Sequence, residues 1–301
     1  MMDGSPISPE WIAVDWGTSN LRAWAMDGEG NVLAETTSDQ GMSSLAKDEF
    51  ELALRALIDP WLVKDAMPVV ACGMVGARQG WTEAPYSETP CTPQASMVTA
   101  PSDGAVKVQL IGGVCQKSPP DVMRGEETQI AGFLRLNPDF DGVVCLPGTH
   151  TKWAHISAGE IVSFQSFMTG EVFALLSDQS VLRHSVDDSW DETAFGAALS
   201  DALSKPELLA ARLFGIRAAD LVANGSKDTA GAKLSGYLIG AELAAARPYW
   251  LGQSVAIIGA RSLAKCYRLA LESQGVPVIE TDAQRMTLEG LKAAFAMEVS
   301  S

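Results

Sequence analysis

Apolar and polar positions over the first forty residues fall in short blocks that predict a meander. Trp11-Ile-Ala-Val-Asp15 reads as a strand, Trp16-Gly-Thr-Ser19 as a turn, and Leu21 to Met26 as a second strand. Asp27-Gly28-Glu29-Gly30 is a hairpin signal leading into a third strand over Asn31 to Thr37. Asp48 to Leu62 has the spacing of an amphipathic helix, ended by Pro60 and Pro68. Met67-Pro-Val-Val-Ala-Cys72 is an apolar run of the kind that forms a buried strand.

The pattern then repeats. A displacement of 131 residues lays Val144-Cys-Leu-Pro-Gly148-Thr149 on Ala13-Val-Asp-Trp-Gly17-Thr18, Ala154 on Ala23, and Gly159-Glu160 on Gly28-Glu29. Strand, Gly-Thr turn, strand, Gly-Glu hairpin and strand recur in the same order. The repeat predicts two similar α/β domains facing one another across a cleft, the usual place for a ligand. Gly125 to Leu136 reads as a helix, and Asn137-Pro-Asp-Phe-Asp-Gly142 as a break before the second meander. The expected domains are therefore 1–137 and 138–301. Further helices are predicted at about 171–183, 191–203, 206–214 and 228–247. Ser254 to Gly259 is a strand, Arg261 to Gln274 a helix, Val276 to Glu280 a strand, and Leu288 to Met297 a last helix. Such alternation argues an α/β fold with mixed sheets.

Composition narrows the function classes. A net charge of −15 lacks the clustered Lys and Arg that neutralise nucleic acid phosphates. It does not weigh against a nucleotide, which backbone N–H groups can hold locally. Five scattered cysteines without a CxxC and three histidines predict a reduced, cytoplasmic, zinc-free protein. No signal peptide is visible over Met1 to Glu10, and no uncharged apolar stretch has the length of a membrane span.

Several strings could carry chemistry. In Asp15-Trp-Gly17-Thr18-Ser19 a carboxylate ends a buried strand and a turn with N–H and hydroxyl groups follows, suited to Mg²⁺ and phosphate. Pro147-Gly148-Thr149-His150-Thr-Lys152 is its mate, with Leu146 in place of the carboxylate, so one turn could serve the metal and both the phosphates. Arg124-Gly-Glu126-Glu127 opens a helix; its acidic residues suit the helix dipole, and one of them could accept a proton from an attacking hydroxyl. Gly73-Met-Val-Gly-Ala-Arg78-Gln79-Gly-Trp81 sets an Arg and a Trp in a Gly-rich loop after a strand, where a guanidinium could fork onto a carboxylate. Gly259-Ala260-Arg261 would let backbone approach a base or ribose at a helix start. No Walker A, GxGxxG, HRD or DFG element is present, which argues against a dinucleotide-dependent oxidoreductase.

Together, Asp15-Trp-Gly-Thr-Ser, Gly73 to Trp81, Arg124-Gly-Glu-Glu-Thr-Gln129, Leu146 to Trp153, Phe167-Met-Thr-Gly-Glu171 and Gly236 to Glu242 resemble the 2-dehydro-3-deoxygalactonokinase family, from about residue 11 to about 298. The resemblance implies two ribonuclease-H-like domains of the actin and sugar-kinase type, with mixed five-stranded sheets flanked by helices. It implies ATP and Mg²⁺ as co-substrates, and phosphorylation of 2-dehydro-3-deoxy-D-galactonate at O6 in galactonate catabolism. A more distant similarity to glycerol and xylulose kinases implies a base near Glu126, with Glu127 and Asp121 as alternatives, and a substrate-holding Arg at Arg78. It leaves a phosphoryl contact for Arg22 open, displaced by about one residue. The expected sites are thus Glu126 and Asp15 for catalysis and Arg78, Gln79, Trp81 and Arg124 for the sugar acid. Gly17, Thr18, Ser19, Arg22, Gly148, Thr149, His150, Lys152, Gly259 and Ala260 are expected to serve the nucleotide. Another sugar or sugar acid as acceptor, such as 2-dehydro-3-deoxygluconate, a non-catalytic nucleotide- or sugar-sensing protein of the same fold, and a homodimer stay open; neither a nucleic acid nor a membrane is an expected partner.

Overall fold

The computed structural model describes residues 7–94, 96–187, 189–222 and 229–300. Residues 1–6, within the stretch read for a signal peptide, and Asp228, the expected start of one helix, lie outside the described residues. By internal contacts the chain forms two compact units: 1–140 with 157–163 and 283–301, and 141–156 with 164–282.

In the first unit the meander is β1 (Trp11–Trp16), β2 (Leu21–Met26) and β3 (Val32–Ser38), followed by α1 (Phe50–Ile58) and β4 (Met67–Gly73). Pro60 takes α1 out of α geometry into a single 3₁₀ turn over Asp59–Trp61. Next come β5 (Tyr86–Glu88), β6 (Met97–Thr99), β7 (Val106–Ile111), β8 (Gly113–Lys117), β9 (Pro120–Met123) and α2 (Glu126–Leu136). The main sheet has the order β3-β2-β1-β4-β7-β6, with β1, β4 and β7 parallel. It carries six strands instead of the expected five, because the short β6 pairs antiparallel on its edge. A second sheet, β5-β8-β9, occupies a region with no predicted element.

β1 reads as a continuous apolar run because both of its faces are covered. Ile12, Val14 and Trp16 join Phe50, Leu54 and Trp81 on one side. Trp11 and Ala13 join Val70, Cys72, Leu291 and Phe295 on the other. Strand alternation therefore directs Asp15 to the second side, with Cys72. That side is closed by the last helix, α9 (Ala283–Ser300).

The remaining sheet repeats the meander as β10 (Gly142–Leu146), β11 (Thr151–Ser157) and β12 (Glu160–Phe167), most of it in the second unit. α3 (Thr169–Gln179), α4 (Glu192–Ser204), α5 (Leu209–Val222), α6 (Ala230–Ala245) and the single turn α7 (Arg247–Trp250) follow. β13 (Val255–Gly259), α8 (Arg261–Glu272) and β14 (Val278–Asp282) complete it. The order β12-β11-β10-β13-β14, with β10, β13 and β14 parallel, matches the first sheet strand for strand as far as β7. α5 runs to Val222, beyond the end expected at residue 214. Asp191 caps α4 by accepting the Ala194 N–H at 2.8 Å.

α9 (Ala283–Ser300) leaves the second sheet in sequence but packs within the first unit. Gly132 on α2 and Gly290 on α9 let the two backbones touch: a Cβ on Gly290 would lie 2.0 Å from the Thr128 carbonyl oxygen. Phe295 of α9 stacks on Trp11 at 4.2 Å and 6°, a pairing worth about 0.5–1.5 kcal/mol beyond its buried area.

Candidate active site

Three carboxylates converge at one end of the first sheet. Asp15 lies at the C-terminal end of β1, opposite Arg22 on β2 and Cys72 on β4. The Cys72 thiol donates to Asp15 Oδ1 at 3.9 Å. Burial pushes the Asp15 carboxyl above its ordinary range, while the Arg22 charge and the Cys72 contact act in the opposite direction. Just past Cys72, Gly73 turns the chain at φ +92°. A Cβ on Gly125, itself at φ +102°, would sit 3.4 Å from Gly73 Cα. The positive φ at both positions favours glycine, and the contact sets the α2 N-terminus against the end of β4.

The two glutamates there differ. Glu126 is partly exposed and its Oε2 accepts the Arg124 N–H at 3.0 Å. Glu127 is 0% exposed; its Oε2 accepts the Gly125 N–H at 2.7 Å and its Oε1 the Thr128 hydroxyl at 3.0 Å. Burial, then the Glu126 charge, push Glu127 up to about 8. Asp121 lies on β9, where its Oδ1 accepts the Val122 N–H at 2.8 Å.

The Gly17-Thr18-Ser19 turn presents Thr18 and Ser19 at the surface. From behind, Met42 and Ser43 N–H donate to the Gly17 and Thr18 carbonyls, each at 3.0 Å. Arg22 is half-buried, 3.4 Å from Glu35 and over the Trp24 ring. In the loop after β4, Arg78 and Gln79 are exposed. Trp81 takes a different position from the expected ligand contact: at 6% exposure it packs on Trp16 and Phe50 and anchors the loop from within the core. Arg124 is 9% exposed, lies over the Tyr86 ring at 4.3 Å, and donates from Nη2 to the Ala84 carbonyl at 2.8 Å. Its Nε and Nη1 are buried without a hydrogen-bond partner among the described residues.

In the second unit Gly148, Thr149 and Ala260 line one cavity of about 350 Å³, with Gly259 directly before Ala260. Thr169, Gly170, Ser235, Leu238, Leu263 and Tyr267 complete much of its wall. Its polar turn and apolar walls suit a ligand with a flat ring and an anionic tail. Gly170 makes the junction possible, since a Cβ there would lie 2.3 Å from the Gly148 carbonyl. His150 is exposed, 2.6 Å from Glu171. Lys152, expected beside phosphate, is buried, and its ammonium donates to Ser166 Oγ at 2.6 Å.

Thr169, Tyr267 and Glu242 join this site without a role expected from the sequence. Glu242 is 3% exposed on α6 beneath this cavity. It accepts from Trp153 Nε1 at 2.8 Å, from the Tyr267 hydroxyl at 2.7 Å, and from the Thr169 hydroxyl. A single carboxylate inside the apolar stretch Tyr237–Ala246 was the available signal.

Comparison with known proteins shows the family. A model of the family described as 2-keto-3-deoxy-galactonokinase matches residues 15–294. The chain is 39% identical over 293 residues to a Rhizobium meliloti protein named "Probable 2-dehydro-3-deoxygalactonokinase DgoK1", covering 94% of this chain and 96% of that one. It is 32% identical to the 2-dehydro-3-deoxygalactonokinase of Escherichia coli, covering 90% and 92%. A Sinorhizobium meliloti crystal structure bearing the same enzyme name superposes with a TM-score of 0.90 at 37% identity, over 96% of this chain and 99% of that one. A xylulose kinase from Lactobacillus acidophilus, at 10% identity, has a TM-score of 0.52 over 96% and 89%, and so shares the sugar-kinase fold. With matches that span nearly the whole chain in sequence and in structure, this protein belongs to the 2-keto-3-deoxy-galactonokinase family.

Proposed function

We infer that the chain transfers the γ-phosphoryl group of ATP to O6 of 2-dehydro-3-deoxy-D-galactonate, in the cytoplasm. The family match carries the reaction. Two features, each within its own unit, support these residues as its machinery: a partly exposed glutamate at the α2 N-terminus of the first, and a cavity bounded by a glycine turn in the second.

Glu126 is the base that takes the proton of the attacking hydroxyl. Its partial exposure favours it over Glu127, whose carboxyl is enclosed. Exposed Arg78, with Gln79 beside it, holds the substrate carboxylate as a fork. Arg124 supports that site from beneath. The nucleotide occupies the cavity bounded by Gly148, Thr149 and Ala260, and the Thr18-Ser19 turn serves its phosphates.

Mg²⁺ fits Asp15. Among the described residues no cluster of three or more His, Cys, Asp or Glu forms a metal cage, and Mg²⁺ commonly uses one or two carboxylates with waters and substrate phosphates. When bound, the ion neutralises charge on the transferring phosphates. A coupled ADP-release assay offering the galactonate acid, its gluconate epimer and glycerol tests the assignment. Turnover confined to the galactonate acid supports it; equal turnover of the epimer removes the stereochemical part.

A further inference from the structure

The cavity wall in the second unit has an enforced hydrogen-bond polarity. Thr169 and Tyr267 line the cavity, and both hydroxyls donate to Glu242 Oε2 behind it, Tyr267 at 2.7 Å. A hydroxyl has one proton. Once that proton is committed to the carboxylate, the oxygen can offer only lone pairs elsewhere. Thr151 meets the Tyr267 oxygen at 2.9 Å, and with the phenol proton on Glu242 it must be Thr151 that donates there.

We propose that Glu242 is a positioning residue for the nucleotide: by binding the Thr169 proton it leaves that hydroxyl on the cavity wall able only to accept, selecting a donor group on the ligand, while buried Tyr267, occupied by Glu242 and Thr151, holds the carboxylate in place. This rests on the reading of the cavity as the nucleotide site. The donors a nucleotide offers are its exocyclic amine and its ribose hydroxyls.

The carboxylate is poised to titrate. Burial pushes Glu242 up to about 7, against the hydrogen bonds from Thr169, Trp153 and Tyr267 that favour its charged form. The other titratable groups facing it, Cys145 on β10 and Tyr267 on α8, are both pushed well above their ordinary ranges by burial and stay neutral. Its remaining partners, Trp153 on β11 and Thr169 on α3, do not titrate. Protonation of Glu242 frees the Thr169 hydroxyl to reverse.

The test is KM for ATP against kcat in the full-length protein, at saturating Mg²⁺ and acceptor, between about pH 6 and pH 8. In the wild type, KM for ATP rises as pH falls through about 7. Glu242→Gln, which cannot ionise, raises KM for ATP about three- to tenfold at pH 8, the worth of one ordinary hydrogen bond. Its kcat changes less, and its KM shows no dependence on pH across that window. If E242Q fails to fold, Thr169→Val carries the test, with the same rise in KM expected. Unchanged KM in the folded variant overturns the positioning role. A wild-type protein that shows no ATP binding by calorimetry overturns the nucleotide cavity itself, and the proposal with it.

Discussion

Glu126 and Glu127 turn their carboxylates back onto consecutive amides, Arg124 N–H at 3.0 Å and Gly125 N–H at 2.7 Å, yet one remains partly open and the other is enclosed. Both therefore brace the α2 N-terminus, and only Glu126 keeps access for a substrate. Glu126→Gln is expected to lower kcat by about 10²–10⁴-fold, the usual range for a general base, while KM for the sugar acid changes little. Near wild-type turnover in steady-state kinetics would reject Glu126 as the base.

Enclosure gives Glu127 a consequence for stability. Its folded pKa of about 8 lies above the ordinary 4.5, so the native state binds the extra proton between those values. Stability from this group is present below the unfolded value and is lost as pH rises towards 8. The slope approaches about 1.4 kcal/mol per pH unit. Urea unfolding of Glu127→Gln should show a flatter pH profile than the wild type and a higher midpoint at pH 8. Parallel profiles would mean that the carboxyl titrates in its ordinary range.

Arg78 and Trp81 divide the work of their loop, one exposed and one in the core. Arg78→Ala is expected to raise KM for the sugar acid by about 10–100-fold, as for a lost hydrogen bond to a charged group, without destabilising the fold. Arg78→Lys should recover only part of this, because an ammonium cannot fork. Trp81→Ala should instead lower the melting temperature, since it opens a cavity beside Trp16 and Phe50.

The crossing of α2 and α9 has no room for a methyl group. A Cβ on Gly290 would meet Thr128 O at 2.0 Å. Gly290→Ala should destabilise the protein by about 1–3 kcal/mol, the cost of overpacking. Because α2 carries Glu126, activity at a permissive temperature should fall as well. A variant with wild-type melting temperature would show that the helices can part without cost.

Gly170 plays the corresponding part in the second unit, where a Cβ would reach the Gly148 carbonyl at 2.3 Å. Gly170→Ala should push α3 away from the Gly148-Thr149 turn and raise KM for ATP more than KM for the acceptor. An equal effect on both constants would argue that the turn is not specific to the nucleotide.

Local chemistry written in the chain was enough for the two meanders. Apolar blocks, Asp27-Gly28 and the Gly-Thr turns specify strands and reversals through neighbouring residues alone, and the structure repeats β3-β2-β1-β4 as β12-β11-β10-β13. The same local signals marked Asp15 at a strand end and Glu126 at a helix start. Side-chain burial was decided elsewhere. Trp81, Arg124 and Lys152 look like surface ligands in sequence, but each lies beneath a neighbouring element and is at most 9% exposed. Partners distant in the chain set the rest: Glu242 acquires its role from Trp153, Thr169 and Tyr267, on three other elements. α9 finds α2 through Gly132 and Gly290, 158 positions apart, where only the absence of a side chain allows contact. Propensity and periodicity act over a few residues, whereas close approach and desolvation depend on which distant segments meet, so the meanders and most helices were legible in the sequence, while β5 to β9 and the environment of each side chain belonged to the tertiary structure.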